Sequence, residues 1–282
     1  MDGPSIVAAA LSRPVIPDRF GNVWQYHSQS DRHSKVACWA VAFELLEHCP
    51  LLRHHVAAGK VAFGVNHSMH DFKTGRKKKL DLVIATPASP IDSDALALSD
   101  LDVIWDIPLD AKQTARLSAL PTAYVSPVGA VLVAVEAKAC MTAHIKSLPR
   151  LYDELNSSHL TVHGASGQAL AVGFVMVNAS TSFVSTSLNK YNLATSAPTI
   201  SPHRQPLWAT RTVDKLKEIP RRSGPGQEGF DALGIVLVDM RNDGSPIAIS
   251  TAPPAPAPGD IFYYDQMVNR VAHEYAVAFS HI

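Results

Sequence analysis

The sequence has little of what marks the commoner functional classes. Cysteine is scarce: Cys38, Cys49 and Cys140 are the whole set of three, and none shares a C-x-x-C spacing. Cys38 and Cys49 fall in an apolar helical pattern and Cys140 follows an apolar run, so buried free thiols in a reducing compartment are expected. Long hydrophobic runs are missing; nothing approaches the roughly 18 apolar residues that cross a bilayer. The start, Met1-Asp2-Gly3-Pro4, lacks the basic opening of a signal peptide, and Ile6 to Leu11 is too short an apolar segment for one. A cytoplasmic protein without a membrane partner is expected. An excess of one charge is absent too, with 25 Lys and Arg against 25 Asp and Glu. A nucleic-acid binder of this composition must gather its basic residues locally, helped by whatever fraction of its 13 histidines is protonated. Internal repeats are lacking. So are G-x-G-x-x-G, Walker-type, G-x-S-x-G and H-E-x-x-H motifs, which removes several common enzyme classes.

What is present suits a globular chain. Its 282 residues are 46% apolar and 18% charged, enough for one large domain or two small ones. The clearest element is Val131-Leu132-Val133-Ala134-Val135, a nearly unbroken apolar run that predicts a strand buried on both faces. It ends in Glu136-Ala137-Lys138. Residues two apart in a strand point to one face, so the acid and the base stand side by side. Burying either alone is expensive, and a bound divalent cation gives the pair a purpose. A second short apolar strand, Leu80 to Ala85, is interrupted by one acid, Asp81. Magnesium takes hard oxygen ligands, commonly one or two carboxylates with water and phosphate. Asp81 and Glu136 on neighbouring strands supply two, with Lys138 beside them to polarise a water or steady charge on a phosphate.

Asp81 followed by Glu136-Ala137-Lys138 on a later strand resembles the PD-(D/E)xK nuclease superfamily, the restriction-endonuclease-like fold. The resemblance spans roughly residues 34–178, about half the chain. No proline precedes Asp81, and the spacing of 55 positions from Asp81 to Glu136 exceeds the family's usual hairpin. The fold it implies is α/β: a central mixed β-sheet flanked by helices, in a single nuclease domain. The core is expected over about 34–178 and 231–282, with insertions over about 86–128 and 179–230. The implied activity is Mg2+-dependent (or Mn2+-dependent) hydrolysis of DNA phosphodiester bonds, in restriction or another defence. Catalysis falls to Asp81, Glu136 and Lys138, and the metal to Asp81, Glu136 and the backbone carbonyl of Ala137. The family often adds an acid from its first helix, which points to Glu44 and, second, to Glu47. The alternatives are a nucleic-acid-binding protein of the same fold that does not cleave, and an unrelated α/β enzyme. One site per chain makes a homodimer a reasonable way to cut two strands.

The remaining segments are read in order. Residues 1–32 are mixed, with a short strand or arm over Asn22 to His27. Ser34 caps a helix to about Cys49 whose apolar stripe is Val36, Trp39, Ala40, Phe43 and Leu46. Val61 to Asn66 is the first core strand, and His67 to Lys79 the turn into the Asp81 strand. That turn carries Arg76-Lys77-Lys78-Lys79, which suits phosphate contacts by Lys77, Lys78 and Lys79 or, equally, a solvated hairpin. Asp92 to Asp106 is acidic and is expected to face away from DNA. After the triplet, Ser147 caps a helix with Pro149 in its first turn, and Thr142, His144, Lys146 and Arg150 fall near the site. Lys146 and Arg150 are candidate nucleic-acid contacts; His144 is a weak candidate base beside the ordinary reading of a hydrogen-bonded histidine. Ala169 to Val177 is a fourth buried strand, reached by a parallel crossover. Arg204, Arg211, Lys215, Lys217, Arg221 and Arg222 with Trp208 form either a recognition loop or a solvated one. Leu233 to Asp239 is a fifth strand. A proline-alanine connector then leads to a closing helix, Ile261 to Phe279, that packs on the sheet or on a second subunit.

Overall fold

A computed structural model describes residues 1–282 except Lys73, Ser93 and Pro225. In chain order the elements are α1 (Gly3–Leu11), β1 (Ile16–Pro17), β2 (Val23–Trp24), α2 (Arg32–His48), α3 (Pro50–Ala57), β3 (Ala62–His70), β4 (Lys77–Pro87), α4 (Leu98–Ile104), α5 (Ala111–Ser118) and β5 (Val128–Cys140). There follow α6 (His144–Ala165), β6 (Leu170–Asn178), β7 (Ser182–Val184), β8 (Ile200–Pro202), α7 (Leu207–Lys217), β9 (Ala232–Asp239), β10 (Ala248–Ser250) and α8 (Tyr264–Ala278).

Six strands make one mixed sheet in the order β10-β9-β6-β5-β4-β3. β3, β4 and β5 are an antiparallel meander, β5, β6 and β9 run parallel, and β10 is an antiparallel edge. Period-two side-chain alternation divides the apolar residues between two cores. Val133, Val135 and Ala137 of β5 join α1, α2 and α8 on one face. Ala134 and Cys140 join Leu151 and Leu155 of α6 and Val213 of α7 on the other. A β-strand covered on both faces reads as a continuous apolar run, which is why β5, β6 and β9 were legible. The α/β class with a mixed central sheet flanked by helices therefore stands. All three cysteines are buried and free. Among the described residues no helix is long and apolar enough to cross a membrane.

Several expectations about elements are corrected. Residues 1–32 hold more than the short strand or arm expected over Asn22 to His27: that stretch contains the short strand β2, and before it α1 buries Ile6, Val7, Ala10 and Leu11 in the core shared with α2. α2 starts at Arg32 rather than at a Ser34 cap, and the Ser34 hydroxyl is free to bond elsewhere. β3 continues to His70 and β4 begins at Lys77, so the turn is shorter than expected and closes through Gly75 at φ +70. Pro149 lies inside α6, which opens at His144 directly after Ala143 in the left-handed region at φ +53. The segment read as a recognition or solvated loop contains a helix, α7, Leu207–Lys217, with Trp208 inside it. The closing helix settles on this chain's own sheet, with Val268 and Val271 buried beside α2. The segment after β4 folds into α4 and α5, and the Trp39 indole N–H of α2 donates to the Leu98 carbonyl at 2.8 Å.

Candidate metal-binding fork

The site forms where β4 and β5 part. Their ladder's last pair on this side is Leu82↔Val135. Beyond it β4 pairs with β3 alone and β5, from Glu136 to Cys140, with β6 alone. Asp81 stands in the resulting fork. The β3–β4 ladder joins Val65 to Leu82 and His67 to Leu80 but passes over Asn66 and Asp81, with Asn66 at φ +55. Alternation breaks there: Leu80 faces the α6-side core and Leu82 the α2-side core. The Asp81 carboxylate is turned between the two layers. Its Oδ2 accepts the Ala137 N–H at 3.2 Å and its Oδ1 the Ser34 hydroxyl at 3.1 Å. In an extended strand the N–H and C=O of one residue point to the same neighbour, so the Ala137 carbonyl opens into the fork as well.

Glu136 is 2% exposed. Its Oε1 lies 2.7 Å from Lys138 Nζ and 3.4 Å from Lys78 Nζ. Its Oε2 is buried with no hydrogen-bond partner among the described residues. Burial, then the Glu136 charge, raise the Asp81 pKa, while Lys138, the Ala137 N–H and Ser34 oppose them. For Lys138 burial acts downward, but the Glu136 charge and hydrogen bond, with Asp81 and Glu154, lift its pKa above the ordinary lysine value. Lys138 is thus a cation at neutral pH, suited to steady charge rather than to take a proton. Lys138 and Glu154 also line an open cleft of about 390 Å3 with Tyr26, His33, Thr142 and Arg150.

The structure thus brings Asp81, Glu136, Ala137 and Lys138 together. It does not bring Glu44. Ser34 touches Asp81 at the start of α2, and Glu44 follows ten residues later, about 15 Å along the helix axis. Glu44 instead receives the N–H groups of Asp2 and Gly3 at 2.5 and 2.8 Å, at the start of α1. Its ligating atom, with those of Glu47 and His48, falls in a group spanning no more than 4.8 Å. Arg116 pins Glu47 at 3.1 Å.

The basic candidates separate. Lys77, Lys79, Lys146 and Arg150 are exposed, Arg150 pairing with Glu154 at 2.6 Å. Lys78 is not a surface contact: strand alternation sends it inward, where it donates to the Glu154 carbonyl at 2.7 Å and to the Ser158 hydroxyl. His144 is fully buried with Nε2 2.8 Å from the Asn178 carbonyl, and burial holds its pKa at about 4, so the ordinary reading of a structural histidine applies. The 179–230 segment spends much of its basic charge internally. Arg222 is 4% exposed and bonds Asp231 at 2.7 Å; Lys215 pairs with Glu218 and Lys217 with Asp260. Sequence reasoning missed Ser34 as a partner of Asp81, and it missed Glu154 and Ser158. The last two lie four apart on α6, and that i, i+4 spacing is the one local sign that they share a face.

The arrangement fits a hard divalent cation. Glu136 and Glu154 lie around Lys78 and Lys138, the Asp81 charge bears on Lys138, and one buried Glu136 oxygen lacks a donor among the described residues. Two carboxylates, a strand carbonyl and open solvent are oxygen ligands of the kind magnesium takes. Comparison with protein-family models, with curated proteins and with solved structures gives no match.

Proposed function

We propose that this chain is a divalent-metal-dependent DNA endonuclease with a restriction-endonuclease-like core, acting in restriction or another defence. The observation that carries the reading is the fork itself. A buried carboxylate, Glu136, and a half-buried one, Asp81, stand there on diverging strands beside a lysine, after a meander and before a helix and a parallel strand. That is the order the PD-(D/E)xK resemblance implies. Asp81, Glu136 Oε2 and the Ala137 carbonyl would hold Mg2+ or Mn2+. The cation would supply a Lewis acid for a phosphate oxygen and for the attacking water. Lys138 steadies the negative charge that grows on the phosphate. Glu136 keeps Lys138 in place through its 2.7 Å ion pair. Asp81 ties the fork shut through the Ala137 N–H and Ser34. Lys77, Lys79 and Lys146 are exposed and would meet DNA phosphates, as would Arg150 beside its Glu154 partner.

The test is supercoiled plasmid incubated with the protein and Mg2+ or Mn2+, with and without EDTA. The reading expects cutting that EDTA stops and that Lys138→Ala removes without unfolding the protein. Absence of cutting by folded protein in either metal overturns it, as does full activity in the variant. One observation favours the second reading, a DNA-binding protein that does not cleave: both Lys78 and Lys138 already engage Glu136 Oε1. It expects DNA retention with no cutting in either metal.

A further inference from the structure

We propose that Lys78 is a positioning residue that restricts the Asp81–Glu136 fork to a single divalent cation. This rests on the metal-dependent reading above and specifies the cation count of that site.

A carboxylate that bridges two cations through separate oxygens needs both of them, and paired ions sit about 3.5–4 Å apart. Glu136 has one oxygen to give. Oε1 is shared by two ammonium groups, Lys138 at 2.7 Å and Lys78 at 3.4 Å, while Oε2 is buried without a hydrogen-bond donor among the described residues. Lys138 alone would not enforce this, because it is tethered to carboxylates only, Glu136 and, at 3.8 Å, Glu154. Lys78 is held by groups that a cation leaves in place. Its Nζ donates to the Glu154 backbone carbonyl at 2.7 Å and to the Ser158 hydroxyl, one turn apart on α6. Its flanking residues Lys77 and Lys79 face solvent, so the strand's alternation fixes Lys78 inward. The remaining carboxylate, Glu154, is drawn outward by Arg150 at 2.6 Å. A second dication would meet a fixed ammonium where its bridging oxygen should be.

Mn2+ is the probe: it is titrated calorimetrically into the full chain, and bound-ion spectra are recorded by electron paramagnetic resonance. Wild type should take one ion, with an isolated-ion spectrum. Lys78→Met should take two, with the broadened spectrum of a coupled pair. Its first ion should bind about tenfold more tightly, because a like charge a few ångströms away has gone. Lys78→Gln keeps a donor for the Glu154 carbonyl and Ser158, and serves as the second variant should Lys78→Met fail to fold. One ion at unchanged affinity in a folded variant overturns the proposal, as do two ions in wild type. Asp81→Asn separates this failure from that of the functional reading. Wild type binding no Mn2+, or binding indifferent to Asp81→Asn, removes the metal site altogether and the role of Lys78 with it.

Discussion

The carboxylate of Asp81 accepts the backbone N–H of Ala137, the residue between the acid and the base of the triplet, at 3.2 Å. The hydrogen bond locks the mouth of the β4–β5 fork and sets one carboxylate against the backbone of the strand that carries the other. Asp81→Asn keeps one oxygen for the Ala137 N–H and puts an NH2 toward Ser34, whose hydroxyl oxygen can accept from it, while removing the charge. Losing a partner merely behind the ligands of a metal costs about 10–100-fold, so DNA cleavage should fall by more than that. The unfolding midpoint should hold or rise, since burial already raises the Asp81 pKa. Plasmid-cutting rates and denaturant titration check both halves; unchanged cleavage sinks the assignment.

Lys77 and Lys79 should behave differently from Lys78 although the three are consecutive. The outer two are exposed. Replacing both by alanine should weaken DNA binding evenly across sequences and lower the salt-dependence slope by about 1 for each phosphate no longer neutralised. Binding titrations at several salt concentrations read this directly. A slope equal to that of wild type argues against a DNA path over this hairpin.

Arg222 is part of the core, not of a recognition loop. Its guanidinium bonds Asp231 at 2.7 Å and the Ala169 carbonyl at 2.8 Å. Arg222→Met leaves the Asp231 carboxylate buried with weaker support and should cost about 3–5 kcal/mol of stability. Chemical denaturation measures the loss. Variant protein that remains folded should bind DNA as wild type does, and a selective loss of binding would reinstate a recognition role.

Stability should fall as solutions become mildly acidic. Burial holds His144 at about 4, helped by the His203 charge and opposed by the Asn178 carbonyl. Burial, then the His163 and Arg222 charges, hold His159 at about 4 as well. Both folded values lie below the unfolded value of about 6.5. The unfolded chain therefore binds more protons between them. Stability is complete above pH ~6.5 and is lost toward pH ~4, at about 1.4 kcal/mol per pH unit for each histidine. Denaturation midpoints from pH 7 to 4.5 should decline accordingly, and a flat profile would show that these rings protonate without penalty.

The sequence by itself determined the buried strands and the residues that interrupt them. Val131 to Val135 and Ala169 to Val177 are apolar at every position because helices cover both faces of β5 and β6, and period and length suffice to read that. Asp81 and the Glu136–Lys138 pair were visible as charges set into such strands. Tertiary structure decided the rest. Lys78 differs from its neighbours only because Glu154 and Ser158 arrive beside it from α6. Glu44 shares a helix with Ser34, yet ten residues of helical rise separate its carboxylate from Asp81. Ser34 met Asp81 rather than capping a helix because the backbone of α2 begins two residues earlier. Pro149 was absorbed into α6, where packing of Leu151 and Leu155 against the sheet outweighs one missing backbone hydrogen bond. Local periodicity carries information about which face a side chain takes. It carries none about which distant segment waits on that face, and the site of this protein is made of such meetings.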